Sequence, residues 1–326
     1  MLPMPVCLIA EPIHPAGVAL LEAAGVTVRH ASTPRLERIP DELREIDAII
    51  VRTALPAEAI DAAPRLAVIA NHGTGTDGVA VAHAHALGIP VAFTPTANVR
   101  AVAEHALMLM LAVARQAVQA DQATRAGDAG FRFTQRSMSL YGKTLGIVGF
   151  GHTGRLLAEM AQGLGLRILV CSPNAPAERL ATVEVASDLE QLLQESDVIS
   201  LHRPLRADSR HLINARTLAL MKPGAILVNT SRGGLVDEDA LAEALREGRL
   251  FGAGLDVLAH EPMRADSPLR QLPNLVLSPH TAGSTREALL ETASQCARNV
   301  IDALNGVEPA HLVDPTVWPG RRIHGL

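Results

Sequence analysis

Short runs of Val, Ile, Leu and Ala alternate with longer amphipathic or alanine-rich segments along almost the whole chain. Apolar runs of this length, bounded by turn residues, are typical of strands that are buried on both faces of a parallel sheet. The predicted strands are Val6–Ala10, Ala48–Arg52, Leu66–Ala70, Pro90–Phe93, Thr144–Val148, Arg167–Cys171, Val198–Leu201, Ile226–Asn229, Ala253–Val257 and Leu275–Ser278. Helices such as Ala16–Ala24 and Val79–Leu87 are predicted between them. The alternation predicts an α/β fold with doubly wound parallel sheets.

Two long helix-forming blocks divide this pattern. The first begins near residue 98 and precedes a new series of strand–helix units, and the second begins at Thr285. A chain of 326 residues also exceeds what one small core usually holds. The sequence therefore predicts a discontinuous, flavodoxin-like substrate domain of residues 1–98 and 285–326. Residues 99–284 are predicted to form an inserted Rossmann domain that binds a dinucleotide.

Composition narrows the classes of function. Net charge is −5, aromatic residues make up 2%, and no basic stripe is present, so nucleic-acid or membrane-surface binding has little support. Three widely separated cysteines without a CxxC pair indicate reduced thiols, with no disulfide framework and no metal site. The N-terminus has no basic segment followed by an apolar stretch, and the apolar run Ala106–Ala114 is too short to span a bilayer. These features predict a cytoplasmic protein.

Two loops carry the G-x-G-x-x-G spacing, at residues 73–78 and 149–154. Dinucleotide binding requires a strand, a tight turn and a helix N-terminus that faces the pyrophosphate. The second loop follows a clear strand, opens a helix and is succeeded by several strand–helix units. The first is succeeded by one further strand only. The second loop is therefore assigned to the cofactor, with these predicted contacts: Gly149, Gly151, His152, Thr153 and Gly154.

The ribose position of this fingerprint lacks its usual acid. A carboxylate at the end of the second strand would accept a hydrogen bond from the ribose 2′-hydroxyl, but Ser172 stands there and the nearest acid is Glu178. Without that carboxylate a 2′-phosphate is not repelled, and Arg179, Arg203 or Arg206 could neutralise one. The choice between NAD and NADP stays open, and Ser172 and Arg203 are predicted cofactor contacts.

Polar residues follow the later strands of the predicted sheet. Ligands bind outside the carboxyl ends of parallel strands, where the sequence has Arg232, Glu261 and His280. Arginine can hold a carboxylate in a bidentate ion pair, and histidine can exchange a proton near neutral pH. A neighbouring glutamate would favour the imidazolium form and fix the tautomer. Each residue alone is a common loop residue, but together they indicate the oxidation of a hydroxy acid.

Several stretches resemble one enzyme family. The segments GKTLGIVGFGHTG, LMKPGAILVNTSRGGLVDEDAL, GAGLDVLAHEP and NLVLSPHTAGST are similar to the signatures of the D-isomer-specific 2-hydroxyacid dehydrogenases, which include phosphoglycerate dehydrogenases and hydroxypyruvate reductases. Two N-terminal segments, APRLAVIANHGTGTDGVAV and GIPVAFTPTANVRAVAEHALMLML, extend the resemblance over nearly the whole chain.

The resemblance implies an NAD(P)-dependent oxidoreductase that interconverts a D-2-hydroxy acid and its 2-oxo acid. It implies a homodimer with the active site in an interdomain cleft, and a catalytic set of Arg232, Glu261 and His280. It also implies a nicotinamide-carboxamide contact at Asp256, and backbone amides of Thr74 and Gly75 that bind the substrate carboxylate.

Two departures and two alternatives accompany this hypothesis. Ser172 replaces the family's ribose-binding Asp, and Asn71 stands where phosphoglycerate dehydrogenases often have a basic residue, which argues against a phosphorylated substrate. An L-lactate or malate dehydrogenase type is disfavoured because that class places its nucleotide domain first. An NAD(H)-sensing binding protein, such as a corepressor on the same fold, stays open.

Overall fold

The computed structural model describes residues 4–134, 137–172, 175 and 183–323. The chain divides into two compact units, Met1–Asn98 with Ser284–Leu326, and Val99–Gly283. The first unit is therefore discontinuous, and the second is inserted within it.

The first unit is built on a parallel sheet in the order β2-β1-β3-β4-β5. Its strands are β1 (Val6–Ile9), β2 (Thr27–His30), β3 (Ala48–Val51), β4 (Val68–Asn71) and β5 (Val91–Ala92). Its helices are α1 (Pro15–Ala23), α2 (Pro40–Leu43), α3 (Ala57–Asp61), α4 (Val81–Ala86) and, returning at the end of the chain, α12 (Arg286–Leu304), with 3₁₀ turns at Leu36–Arg38 and Pro315–Gly320. This strand order is that of a flavodoxin-like fold.

The second unit is built on a parallel sheet in the order β12-β11-β10-β9-β6-β7-β8. Its strands are β6 (Thr144–Val148), β7 (Arg167–Cys171), β8 (Glu184–Val185), β9 (Val198–Leu201), β10 (Ala225–Asn229), β11 (Leu250–Leu255) and β12 (Leu275–Leu277). Its helices are α5 (Val99–Ala114), α6 (Ala117–Arg125), α7 (Phe131–Thr134), α8 (His152–Gly163), α9 (Leu189–Glu195), α10 (Ala215–Leu220) and α11 (Glu238–Arg246), with a 3₁₀ turn at Gly233–Leu235. The strand order reverses between β6 and β9. Strands β6 to β8 extend toward one edge of the sheet, and β9 to β12 extend toward the other, as in a Rossmann fold.

Alternate residues of each central strand enter cores on opposite faces of the sheet. In β6, Leu145 and Ile147 pack under α5 and α8, whereas Val148 packs on the other face. In β3, Ile49 and Ile50 separate in the same way between the two cores of the first unit. Both faces are apolar because helices cover both, which explains why these strands appear as continuous apolar runs in the sequence. The predicted α/β fold with two parallel sheets is confirmed.

The structure differs from the predicted elements where strands are polar or a helix is broken. The edge strands β2 and β8 were not predicted, because their residues are partly or fully exposed and lack an apolar run. The helix-forming block after residue 98 is interrupted at Gln116, whose left-handed φ of 50° separates α5 from α6. Within the described ranges no single helix is long and apolar enough to cross a membrane, although α5 and α6, bent by 59°, pass that test as a pair.

Candidate active site

The turn between β6 and α8 has a geometry that requires glycine at two positions. Gly149 adopts a φ of +94°, and a Cβ added there would lie 2.7 Å from the carbonyl oxygen of His202. A Cβ added at Gly154 would lie 2.5 Å from the carbonyl oxygen of Gly149. Any larger residue at either position would force the backbone to move. The turn can therefore pass close under the carboxyl ends of β6 and β9.

The third glycine of the turn faces open space. Gly151 is exposed and is the N-cap of α8, where a Cβ would meet no atom within 4 Å and no side chain of the described residues caps the helix. His152 and Thr153 form the first turn of this helix. An uncapped helix N-terminus behind a glycine turn attracts anionic groups through its free N–H groups and dipole. The residues present therefore fit the pyrophosphate of a dinucleotide.

At the predicted ribose position the hydroxyl of Ser172 accepts a hydrogen bond from the backbone N–H of Phe150 at 3.2 Å. This serine therefore braces the glycine turn. Arg203, after β9, pairs with Asp208 at 2.5 Å. Burial raises the pKa of the neighbouring Cys171 thiol, and the positive charge of Arg203 works in the opposite direction. The guanidinium is thus close enough to influence the end of β7, whereas Glu178 and Arg179 lie outside the described residues.

His280 and Glu261 form a hydrogen-bonded pair, with 2.7 Å between His280 Nδ1 and Glu261 Oε2. The hydrogen bond that His280 donates to Glu261 raises the pKa of His280 above its usual value. Partial burial opposes this shift, and the negative charges of Glu261 and Asp256 support it. Burial alone would raise the pKa of Glu261, but hydrogen bonds from His280 and from the N–H of Leu258 hold it below its usual value. The pair therefore favours an imidazolium whose other nitrogen can donate a proton.

Asp256 is buried directly after β11 and organises the segment that carries His280. Its Oδ1 accepts hydrogen bonds from the Ser278 hydroxyl at 2.6 Å and from the N–H of Thr281 at 2.9 Å. Its Oδ2 accepts from the N–H of Ala282 at 2.9 Å. These bonds use three of the roughly four acceptor sites of a carboxylate. The proposed carboxamide contact of Asp256 with a nicotinamide stays a prediction.

Asn229 plays a similar part at the end of β10. Its side-chain oxygen accepts a hydrogen bond from the N–H of Ser231 at 3.0 Å, and its side-chain nitrogen donates to the carbonyl of Arg232 at 2.8 Å. The Arg232 guanidinium donates to the carbonyl of Ser231 at 2.7 Å. Its positive charge opposes protonation of His280, so the two groups lie within electrostatic reach of each other. The structure thus brings Arg232, Glu261 and His280 to the same edge of the sheet.

The other glycine turn belongs to the first unit. The Asn71 side chain is buried at the end of β4 and donates to the carbonyls of Gly73 and Gly75, each at 3.0 Å. The exposed Thr74 donates its hydroxyl to the carbonyl of Thr94 at 3.3 Å. Asn71 therefore fixes the conformation of this turn through its side-chain amide, a role that sequence reasoning did not assign to it. The helix that follows this turn, α4, has only six residues.

Comparisons with known proteins decide the family. A model described as "D-isomer specific 2-hydroxyacid dehydrogenase, NAD binding domain" matches residues 107–282. The chain belongs to this family. It is 41% identical to a glyoxylate reductase of Thermococcus litoralis, over 85% of this chain and 86% of that protein. It is 40% identical to the D-3-phosphoglycerate dehydrogenase of Mycobacterium leprae, over 93% of this chain but 57% of that protein, so it spans little more than half of that relative.

One solved structure shares the fold over nearly its whole length. It is an NADPH-dependent glyoxylate/hydroxypyruvate reductase from Sinorhizobium meliloti in complex with NADP and malonate. Its TM-score is 0.88 at 30% sequence identity, covering 98% of this chain and 99% of that one.

Three polar residues around the candidate site were not predicted from the sequence. These are Asn229, Ser278 and His105, whose Nε2 lies 2.7 Å from the Ser278 hydroxyl. Asn229 and Ser278 immediately end or follow predicted strands, so the strand-end criterion that found Arg232 could have found them too. His105 is a helix residue at the edge of an apolar run, and nothing in that run indicates its partner.

Proposed function

We propose that this protein is an NAD(P)-dependent oxidoreductase that interconverts a D-2-hydroxy acid and its 2-oxo acid. Family membership supports the reaction class. The observation that carries the proposal is the hydrogen bond of 2.7 Å between His280 and Glu261, with the Arg232 guanidinium within electrostatic reach. A proton donor held beside a cation is the combination that reduction of an oxo acid requires.

The residues divide the work as follows. When bound, a reduced nicotinamide supplies the hydride that adds to C2 of the oxo acid. His280 transfers its Nε2 proton to the substrate oxygen, so that the C=O double bond becomes a C–OH single bond. Glu261 keeps the imidazole protonated and oriented through Nδ1. Arg232 binds the carboxylate and polarises the oxo group before the proton moves.

The cofactor is proposed to be NAD or NADP, with its pyrophosphate at the turn Gly149–Gly154. Support comes from the uncapped start of α8 and from Gly151, where a Cβ would meet no atom within 4 Å. Ser172 offers no negative charge against a 2′-phosphate, and Arg203 adds positive charge near the end of β7. We therefore propose that NADPH is accepted. The structurally similar reductase from Sinorhizobium meliloti is described as NADPH-dependent.

The substrate is proposed to be a small, unphosphorylated 2-oxo acid of the glyoxylate or hydroxypyruvate class. The named activities of the relatives support this class. Asn71 uses its amide within its own turn and carries no charge for a phosphate. Binding of the substrate carboxylate by backbone amides of Thr74 and Gly75 stays a prediction, as do the homodimer and the lack of nucleic-acid or membrane partners.

A screen of 2-oxo acids with NADH and NADPH, followed by nucleotide absorbance, tests the reaction and the cofactor together. We expect turnover of at least one small 2-oxo acid. The variant His280→Ala should lose about 10²-fold or more of kcat while it binds the reduced nucleotide as wild type does. Wild-type turnover that survives in His280→Ala would contradict the assigned role. Nucleotide binding without turnover of any oxo acid would favour the alternative, an NAD(H)-sensing protein on this fold.

A further inference from the structure

Helix α5 packs closely against β11, and successive turns of the helix lie opposite alternate residues of the strand. His105, Leu109 and Val113 are four residues apart and so lie on one face of the helix. A Cβ added at Gly254 would lie 2.8 Å from Leu109 Cβ, and one added at Gly252 would lie 2.7 Å from Val113 Cγ1. Two glycines on the same face of the strand therefore allow the helix to approach it.

The same register brings His105 to Asp256, the residue that directly follows β11. His105 Nε2 lies 3.4 Å from Asp256 Oδ1 and 2.7 Å from the Ser278 hydroxyl, and its side chain is only 17% exposed. An ionised carboxylate only accepts hydrogen bonds, so the Ser278 hydroxyl donates to Asp256. That hydroxyl has one proton, so it must accept from His105 Nε2. The chain of donation is therefore His105 to Ser278 to Asp256.

Asp256 is the end of this chain and holds the backbone of the segment that bears His280. Its carbonyl accepts from the His280 N–H at 2.8 Å, and its carboxylate accepts from the next two N–H groups. His280 has a φ of 55°, a left-handed conformation that costs free energy for a residue with a Cβ and must be imposed by its surroundings. These three bonds impose it.

We propose that His105 and Ser278 are positioning residues that, through the Asp256 carboxylate, hold His280 in the conformation that pairs with Glu261. The proposal rests on the function proposed above for His280. Neither residue needs to touch substrate or cofactor. Their effect is to keep the Asp256 carboxylate oriented toward the Thr281 and Ala282 amides, so that the His280 ring is presented at a constant angle.

The consequence concerns the proton affinity of His280. Three charged groups act on its ring, namely Glu261, Asp256 and Arg232. The Glu261 hydrogen bond is the largest influence on the pKa of His280 and raises it. If the segment loosens, this bond is formed less of the time, and the pKa of His280 falls toward its ordinary value. The pH above which the enzyme stops reducing the oxo acid falls with it.

Variants that each remove one hydrogen-bond donor test the series from His105 through Ser278 to Asp256. His105→Leu removes the first donor and Ser278→Ala removes the second, while His105→Gln and Ser278→Thr keep a donor at each place. We expect kcat for oxo-acid reduction to fall about 10- to 100-fold in the first pair, with nucleotide affinity within about 2-fold of wild type. The alkaline limb of the pH profile should move to lower pH in these two variants and stay in place in the controls.

NMR titration of the His280 ring measures the effect without turnover. In ¹⁵N-labelled protein the His280 signal is identified by its absence from His280→Gln, and its pKa is then followed in each variant. A lower His280 pKa in both donor-less variants, with retention in both controls, supports the proposal even if no oxo acid is turned over. An unchanged His280 pKa in His105→Leu and Ser278→Ala overturns it.

A third variant, at a residue that takes no part in these hydrogen bonds, tests whether His105→Leu and Ser278→Ala act only by misfolding the protein. Gly254→Ala keeps the side chains of His105, Ser278 and Asp256, but its Cβ would meet Leu109 and force α5, with His105, away from β11. We expect the same fall in the pKa of His280 as in His105→Leu. If Gly254→Ala folds and His280 titrates as in wild type, the closeness of α5 does not position His280, and the proposal fails.

Discussion

At the scale of single residues, two buried polar side chains at neighbouring strand ends shape the site. Asn229 and Asp256 are 0% and 1% exposed, and each uses its side chain to fix the loop that carries Arg232 or His280. Buried polar groups are tolerated where their hydrogen bonds are made, and unmade bonds of this kind cost about 1–3 kcal/mol each. His280 and Glu261 are exposed and Arg232 is partly buried, whereas Asn229 and Asp256, which orient their loops, are fully buried.

Replacing Glu261 by Gln should lower the pKa of His280, because the charged hydrogen-bond partner that raises it is lost. Because the pKa of His280 is higher in the folded protein than in the unfolded chain, the charged ring stabilises the fold. This contribution is complete below the unfolded pKa near 6.5 and disappears as pH rises through the folded pKa. We expect the alkaline limb of kcat/KM for reduction to move to lower pH and the activity at pH 8 to fall about 10-fold or more.

The matched control for this variant is Glu238→Gln. Glu238 accepts a hydrogen bond from the N–H of Ala259 at 2.6 Å in the same loop region, and glutamine can still accept it. Glu238 is not among the charged groups that shift the pKa of His280, which are Glu261, Asp256 and Arg232. A pH profile that moves equally in both variants would assign the effect to net charge and contradict a specific role for Glu261.

Ser172→Asp should change the preference between cofactors. A carboxylate at the end of β7 can accept from a ribose 2′-hydroxyl and repels a 2′-phosphate. We expect the Kd for NADPH to rise by about 10-fold or more relative to that for NADH, measured by the fluorescence of the bound nucleotide. Ser172→Asn, which has the same shape without the charge, is the control. A ratio that is unchanged in Ser172→Asp would place the 2′ position elsewhere.

At the scale of elements, the turn between β6 and α8 separates two roles of glycine. Gly149 and Gly154 are required by contacts within the protein, whereas Gly151 faces open space at the helix N-terminus. Because the first role concerns folding and the second concerns a ligand, substitution should separate them.

Gly149→Ala should destabilise the protein by about 1–3 kcal/mol, since its φ and its contact with the His202 carbonyl both disfavour a side chain. Gly151→Ala should leave the thermal midpoint within about 2 °C of wild type. It should nevertheless weaken nucleotide binding about 10-fold or more, because the added methyl group would occupy the space in front of the helix. Calorimetry and nucleotide titration measure the two effects. Wild-type nucleotide affinity in Gly151→Ala would argue against a pyrophosphate at this turn.

At the scale of the whole molecule, each unit contains a histidine that is held neutral. Burial lowers the pKa of His202 in the second unit to about 4. Burial, together with the positive charge of Arg52, lowers the pKa of His72 in the first unit to about 4. Protonation of either ring is therefore coupled to loss of its native surroundings.

These two depressed pKa values predict acid sensitivity. The unfolded chain binds protons at these histidines near pH 6.5 but the folded chain only near pH 4. The stability that these two neutral histidines contribute is therefore complete above pH 6.5 and is lost as pH falls toward 4. The double variant His72→Leu with His202→Gln should lose less of its free energy of unfolding than wild type over that interval, by urea titration at several pH values. The exposed His260→Gln is the control, and an equal loss in wild type and double variant would contradict the prediction.

The periodicity of apolar residues by itself determined the fold class and most strand positions, because burial on both faces leaves a local mark on each strand. It did not reveal β2 and β8, whose edge positions leave them exposed and polar. Strand ends also indicated Arg232, Glu261 and His280 as candidates, since parallel strands deliver their carboxyl ends to one edge.

Only the tertiary structure decided which polar groups are partners. His105 and Ser278 are 173 residues apart, and their hydrogen bond exists because two glycines of β11 allow α5 to approach that strand. The left-handed conformation of His280 likewise depends on Asp256, 24 positions earlier in the sequence. Apolar patterns are local in the chain, so sequence reveals them. A hydrogen bond between distant residues depends on how closely their elements pack, and that closeness is a property of the folded molecule.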